Sequence, residues 1–531
     1  MPATMAVIGA RVRTGDPNRP FADAVAWTGG EIVALGAEDV RLAGDATTIV
    51  LDARGGTVTA GFVDGHQHLF QGAEITRGVD LAGLTDFAEL RGRLAAARAA
   101  AGPDAWLLGF GVEYELFQGA PFDYERLDGV DGPGPMLLWA FDLHSCFANA
   151  AALRAAGVTG PREFGDKASI VCTAQGRPTG ELREWSAMDV VIDAVPASSP
   201  EQRRAWHVEA LAAQNAVGIT AQHLMDGGPA TAELLAALER DGALTQRVWL
   251  HQYVYAHTED DELAAMVSAA QAGGRLWRAD GAKFMLDGVI DTGTAWLEHA
   301  DRLGENTEPL WPDPAAYSRR VGQLHAAGLR VATHAIGDRA VRHVLDTYAA
   351  LPGGSRGRHR VEHIETAPDA LVARFAPEAV TASMQPVAMQ WVQPDRSDPW
   401  SKRLTPEQCD HGWRVGDLAA GGARVVLGSD WPVAHFDPRL GLFAARLRRG
   451  PEGTAPIGAT RALTGEEALA GYTVNAWAAV GAAGGVLREG MPADLVVWAD
   501  DPVSCPPDDL LELPVRLTVV DGRIVHRAPD L

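Results

Sequence analysis

The sequence predicts an α/β fold: a (β/α)8 TIM-like barrel with a large insertion, plus a small β-sandwich domain formed by both chain termini. Three observations carry this expectation. Eight short apolar runs alternate with helical patterns, which implies a parallel sheet, and eight such strands close into a barrel. The first two runs are separated by residues 70–216, far too many for a connecting loop. Both chain ends read as hairpins rather than helices.

The elements follow in chain order. Residues 1–56 read as short strands, and Ala24–Leu35 places two apolar runs around Gly29 and Gly30, a hairpin signal. The barrel runs are Thr57–Val63, Val217–His223, Arg247–Val254, Gly281–Leu286, Leu329–His334, Arg360–Ile364, Ala379–Met384 and Arg424–Asp430. A helix pattern over Asp313–Gly328 opens on an N-cap Asp with Pro behind it and ends on Gly. Ala493–Trp498 is a further strand, and Arg516–His526 a hairpin around Asp521 and Gly522. Neither end alone has enough strands to bury a core, so residues 1–56 and 484–531 are read as one sandwich domain. The barrel takes residues 57–69 and 217–483. The insertion, residues 70–216, leaves from the C-terminal end of the first strand, the face where barrel enzymes keep their active sites. It is expected to cap that site, and its segment Gly134–His144 reads as a strand of its own.

Composition narrows the function. A chain of 531 residues with 47% hydrophobic content can bury a large core. No run approaches the ~20 apolar residues of a membrane span, and the first residues lack the apolar stretch of a signal peptide. Cys146, Cys172, Cys409 and Cys505 are scattered without a Cys-x-x-Cys pair, as in a cytoplasmic protein with reduced thiols. A net charge of −23 disfavours nucleic acid and anionic membranes as partners. The expected partner is a small-molecule substrate, with homo-oligomerisation left open.

The chemistry is concentrated at strand ends. His66 and His68 close the first strand, and side chains at i and i+2 share one side. Two imidazoles so placed are half of a metal site; alone, they also describe two surface histidines in a turn. Later strands supply the rest: Lys283 in the apolar fourth, His334 ending the fifth, His363 near the end of the sixth, and Asp430 ending the eighth. Such groups converging on one barrel mouth are hard to satisfy without a metal.

This pattern resembles the amidohydrolase superfamily, and more closely amidohydrolase family 3, the N-substituted formamide deformylase-like (YtcJ-like) branch. The runs that carry the resemblance are Gly61–Leu69, Asp142–Leu153, Thr179–Glu184, Lys283–Gly288, His334–Ala340, Arg360–Glu365, Gly428–Val433 and Tyr472–Ala476, in the family's order along nearly the whole chain. The resemblance implies a metal-dependent hydrolase of amide-like bonds. His66 and His68 would hold one divalent ion, and His334 and His363 a second. Zinc is the expected metal, at one or two ions per chain.

Lys283 is expected to discharge beside these cations, add CO2 and bridge them as a carbamate; the alternative is a buried lysine paired with Asp287 or Asp291. Asp430 is the candidate ligand and general base. It would take the proton of metal-activated hydroxide attacking the carbonyl carbon and pass it to the leaving nitrogen. Two other readings remain: a mononuclear deaminase of a heterocycle, using His66, His68, His334 and Asp430, and a non-catalytic barrel homologue that binds a ligand. Failure to bind any divalent metal would favour the last.

Around this set, His144 is expected to reach the substrate from the insertion. His223, read as ending the second strand, is either a substrate contact or a satisfied core histidine. Trp296, Trp391 and Trp431 follow strands four, seven and eight and either line an apolar pocket or pack the insertion on the barrel. Glu362, next to His363 on a strand, is expected to face a helix instead. His325 and His343 are assigned to packing or the surface.

Overall fold

Residues 2–117, 121–127, 132–529 and 531 are described by the computed structural model. The apolar runs form eight parallel strands paired in chain order. They are β1 (Phe62–Gln67), β2 (Ile219–Gly227), β3 (Arg247–Val254), β4 (Trp277–Met285), β5 (Arg330–Ala335), β6 (Arg360–His363), β7 (Thr381–Met384) and β8 (Val425–Leu427). The ladder is continuous from β1 to β8. Its register sets Met285 beside His334, and Ala335 beside His363, so the functional side chains step around one end of the barrel.

β8 and β1 close the barrel through bonds just beyond the regular ladder. The Asp430 amide donates to the His66 carbonyl at 2.7 Å, and the His68 amide to the Trp431 carbonyl at 2.8 Å. The Asp64 carboxylate accepts from the Ser429 amide at 3.0 Å and its hydroxyl at 2.5 Å. This approach requires glycine twice. A β-carbon on Gly65 would lie 2.6 Å from the Leu427 carbonyl oxygen, and one on Gly428 would lie 2.5 Å from the His66 nitrogen. The two histidine-bearing and aspartate-bearing loops are thus locked to each other before any ligand is considered.

The helices behave as their caps and apolar faces predict. Pro314–Ala326 starts where the Asp313 side chain accepts the Ala315 amide, and it buries Tyr317, Val321 and Leu324 against the barrel. Among the described residues no helix is long and apolar enough to cross a membrane.

Both chain ends build the sandwich. One sheet orders Glu31–Leu35, Val25–Thr28, Met5–Ile8 and Ile49–Asp52. The other orders Arg523–Arg527, Val515–Val520, Leu495–Trp498, Thr57–Ala60, Arg11–Arg13 and Phe21–Ala22. Val7, Trp27 and Leu51 from the first meet Val58, Val497 and Leu517 from the second in one core. Thr57–Val63, read above as one barrel strand, is therefore two: Thr57–Ala60 pairs with Arg11–Arg13 and Leu495–Trp498, and the chain enters the barrel after Gly61. Both pieces are buried on both faces, so no polar residue marks the change.

The long excursion after β1 holds a fourth sheet, of mixed direction. Its order is Ser169–Cys172, Pro178–Arg183, Ser145–Ala148, Met136–Ala140, Leu107–Val112 and Val79–Asp80, with an apolar cluster on each side. The two ends of residues 70–216 belong elsewhere. Leu69–Ile75 and Pro200–Ala216 pack together against β2, joining Leu69, Phe70, Leu211 and Leu224 in one cluster. Pro200–Ala216 is the barrel helix preceding β2.

Candidate metal centre and its cavity

Three acceptor atoms converge at the barrel mouth. His66 Nε2 and His68 Nε2 each lie 3.3 Å from the same Asp430 oxygen, Oδ1. His363 Nδ1 approaches the other oxygen at 3.7 Å, and its Nε2 is buried without a partner among the described residues. Ligand atoms of His66, His363 and Asp430 all fall within 4.8 Å of one another. Burial opposes the Asp430 charge, but the surrounding imidazoles hold its pKa well below the usual carboxylate value. Burial lowers the pKa of His66 and of His363, and neutral imidazoles beside a carboxylate are a donor set suited to a divalent cation, so the residues fit the metal their pattern suggests.

His66 is oriented from below. Its Nδ1–H donates to Glu362 Oε2 at 2.6 Å, which leaves Nε2 as the lone-pair nitrogen facing Asp430. Glu362 in turn accepts from Arg360 Nε at 2.5 Å and Nη2 at 2.9 Å. Burial lowers the His66 pKa to about 4. Glu362 is wholly buried and points inward, contrary to the expectation that it faces a helix. Alternation along β6 sends Arg360 and Glu362 inside. His363 escapes the alternation because it has φ 71° and Ile364 φ 52°, a left-handed turn that aims its ring at the mouth.

Lys283 is one of only three lysines in the chain and is almost fully buried. Its Nζ lies 3.1 Å from His66 Nε2. Burial lowers its pKa to about 8, placing the neutral amine within reach of physiological pH. The alternative partner Asp287 is engaged elsewhere, accepting the amides of Trp296, Ile336 and Gly337 at 2.9, 3.0 and 2.9 Å. His334 stands slightly apart. Its Nε2–H donates to the Gly288 carbonyl at 3.1 Å, and its ring lies 4.4 Å from that of His363.

A cavity of about 570 Å³ opens over these groups and includes His68, Lys283, His334, His363 and Asp430 in its wall. The insertion contributes Tyr114, Phe141, Asp142, His144 and Trp185, from the turns and the helix start at the ends of its strands. His144 Nδ1–H donates to Glu184 at 2.8 Å, and its ring lies 5.3 Å from His334. Burial opposes charge on His144, but Glu184, Asp142 and Asp430 outweigh it and raise its pKa to about 9.

Residues 50–526 match the model of the Amidohydrolase family (Amidohydro_3). The chain belongs to that family. As an amidohydrolase it is a hydrolase acting on carbon–nitrogen bonds. It is 27% identical to the putative amidohydrolase YtcJ of Bacillus subtilis, over 91% of each chain. It is 28% identical to the N-substituted formamide deformylase of Arthrobacter pascens, over 97% of each. An uncharacterized metal-dependent hydrolase from Pyrococcus horikoshii has the same fold, with TM-score 0.72 at 21% identity, covering 95% of this chain and 99% of the other.

Within this amidohydrolase, His144 and Trp391 line the cavity, whereas three other residues read as substrate contacts do not. His223 is buried deeper, where Arg360 Nη1 donates to its Nδ1, because β2 runs four residues past it to Gly227. Trp296 packs behind the wall on His343, with Arg339 over its ring. Trp431 is wedged against Gly72 and Phe436. Conversely, Tyr253 at the end of β3 and Gln385 just after β7 line the cavity and were missed. Their signal was position, the same strand-end placement that singled out His334 and Asp430. Trp185, Trp400 and Trp413 also line it, from segments with no periodic pattern to place them.

Proposed function

We propose that this amidohydrolase cleaves an amide-type, non-peptide C–N bond of a small molecule at a divalent metal centre held by His66, His68, His334, His363 and Asp430, with Lys283 beside them. The observation that carries this reading is the crowding of two imidazole nitrogens at 3.3 Å from one carboxylate oxygen, open to a cavity large enough for a small molecule. When bound, a divalent ion supplies Lewis acidity, polarising a carbonyl and acidifying water. The chain's own residues do the rest. Asp430 is the only carboxylate among the converging groups and is the base that takes a proton from water and delivers it to the leaving nitrogen. Glu362 fixes the His66 tautomer, and Tyr253, whose hydroxyl lies 3.3 Å from His68 Nδ1, holds the second ring. Lys283, as a neutral amine, is the group that adds CO2 to become a carbamate, and zinc is the metal we assign. The inserted sheet is the cap, its aromatic residues excluding bulk water from the bond being cleaved.

The deformylase relative supports N-substituted formamides as the first substrates to try. Purified protein, loaded separately with zinc, manganese, iron or cobalt, is assayed against N-substituted formamides, larger amides and cyclic amidines. The reading expects release of acid and amine from at least one amide. Ammonia release from a cyclic amidine with no amide turnover would replace it with the deaminase.

A further inference from the structure

The cavity wall away from the histidines has a different chemistry. Gln385 directly follows β7, is 3% exposed and lines the cavity, yet neither its amide oxygen nor its amide nitrogen has a partner among the described residues. A primary amide buried with both ends unbonded is unfavourable, so this one is placed to meet an entering ligand. Around it the cavity is acidic. Glu113, Glu115, Asp142, Asp291, Glu365 and Glu452 line it besides Asp430. Among the described residues no arginine lines it, and its one lysine, Lys283, is turned to His66.

These carboxylates are not equivalent. Asp142 accepts the Tyr114 hydroxyl at 2.9 Å and the His144 amide at 3.0 Å, and Glu365 accepts Trp400 Nε1 at 2.8 Å. Asp291 forms no ion pair among the described residues: Arg403, the guanidinium that acts on it from a distance, is paired with Asp301 and Glu305. Burial, and then the nearby Asp142 carboxylate, push its pKa up to about 7, a like-charge repulsion that a cation would relieve. Aromatic faces complete the wall. Phe141 and Trp391 lie 4.7 Å apart, as do Trp400 and Trp413.

We propose that this cavity selects substrates bearing a nitrogen cation, a protonated amine or an amidinium, held by Asp291 and the tryptophan faces while Gln385 bonds a neutral amide of the same molecule. Carboxylates facing aromatic rings attract cations from both sides. Among the described residues, the only positive side chain apart from Lys283 that a substrate carboxylate or phosphate would meet is His144, which Glu184 already neutralises. The proposal deepens the amide-hydrolase reading by naming its substrate class, but its binding test does not depend on turnover.

That test uses the metal-loaded protein and three probes of similar size: benzyltrimethylammonium, benzyl alcohol and benzenesulfonate, followed by quenching of tryptophan fluorescence. The cation is expected to bind about tenfold or more tightly than either other probe. Asp291→Asn should erase about tenfold of that affinity and leave benzyl alcohol unchanged, and Asp291→Glu should restore part of it. Equal or tighter binding of the sulfonate or the alcohol to the wild-type protein overturns the proposal, whether or not any variant folds. In the kinetic arm, formamides of benzylamine with a para aminomethyl, methyl or carboxylate group are compared, and the cation is expected to show the lowest KM. If none of the three is hydrolysed but the cationic probe still binds best, the cavity's selectivity stands and the amide reading fails.

Discussion

Two pairs of buried histidines lie inside the same barrel and behave differently. His66 and His363 are at the mouth; His223 and His251 are deeper, on β2 and β3. All four are buried, and burial lowers the pKa of each, to about 4 for His66 and about 3 for His251. The difference is the nearest fixed charge. The deep pair faces the Arg360 guanidinium, which donates to His223 and would repel a metal ion. The mouth pair faces the Asp430 carboxylate and opens to the cavity. Burial and a depressed pKa therefore do not by themselves distinguish the two pairs; a converging carboxylate does, beside a lysine that can discharge rather than a permanently charged guanidinium.

Arg360 links the two regions. It bonds His223 on one side and Glu362 on the other, so the charge that excludes metal below also anchors the carboxylate that orients His66 above.

The contrast can be broken at several points. Asp430→Asn removes the charge that defines the mouth and should lower kcat by about 10²-fold or more while metal content is retained, checked by steady-state kinetics with elemental analysis. Glu362→Gln removes the carboxylate partner of Arg360 and leaves His66 poorly held; metal affinity should weaken about 10- to 100-fold in a chelator competition. His223→Leu, in the deep pair, should leave kcat and metal affinity within about twofold but cost ~1–3 kcal/mol of stability in denaturant unfolding, because a donor of Arg360 loses its acceptor.

The smallest effect is electrostatic. His144 has a folded pKa of about 9 against an ordinary 6.5, so its pairing with Glu184 stabilises fully below pH 6.5 and that contribution is lost as pH rises toward 9. Across that window the melting temperature of the wild-type protein should fall relative to that of His144→Gln. Parallel curves would remove the charged pair.

Much of this was legible in the sequence because a barrel turns strand ends into a shared site. His66, His68, His334 and Asp430 all stand at such ends, and eight apolar runs sufficed to predict the barrel. What escaped notice lay in local backbone geometry. Nothing in Arg360–Glu365 announces that two successive left-handed residues, His363 and Ile364, let Glu362 and His363 serve the same site. The extension of β2 to Gly227 moved His223 from the mouth to the interior, since Leu224 and Met225 continue the apolar run as far as the turn signal Asp226-Gly227-Gly228-Pro229. Gln385, an uncharged residue, carries only the positional signal of following β7; its unbonded amide in the folded cavity is what distinguishes it.

The central claim is that the mouth, and not the deeper pair, holds the metal. The direct measurement is elemental analysis of metal per chain in the purified protein, in a His66→Asn/His68→Asn variant and in His223→Leu. The account predicts one or two equivalents in the wild type, the same number in His223→Leu, and loss in the double variant. Undiminished metal content in the double variant, or none bound by the wild-type protein at saturating zinc, manganese, iron or cobalt, would contradict it.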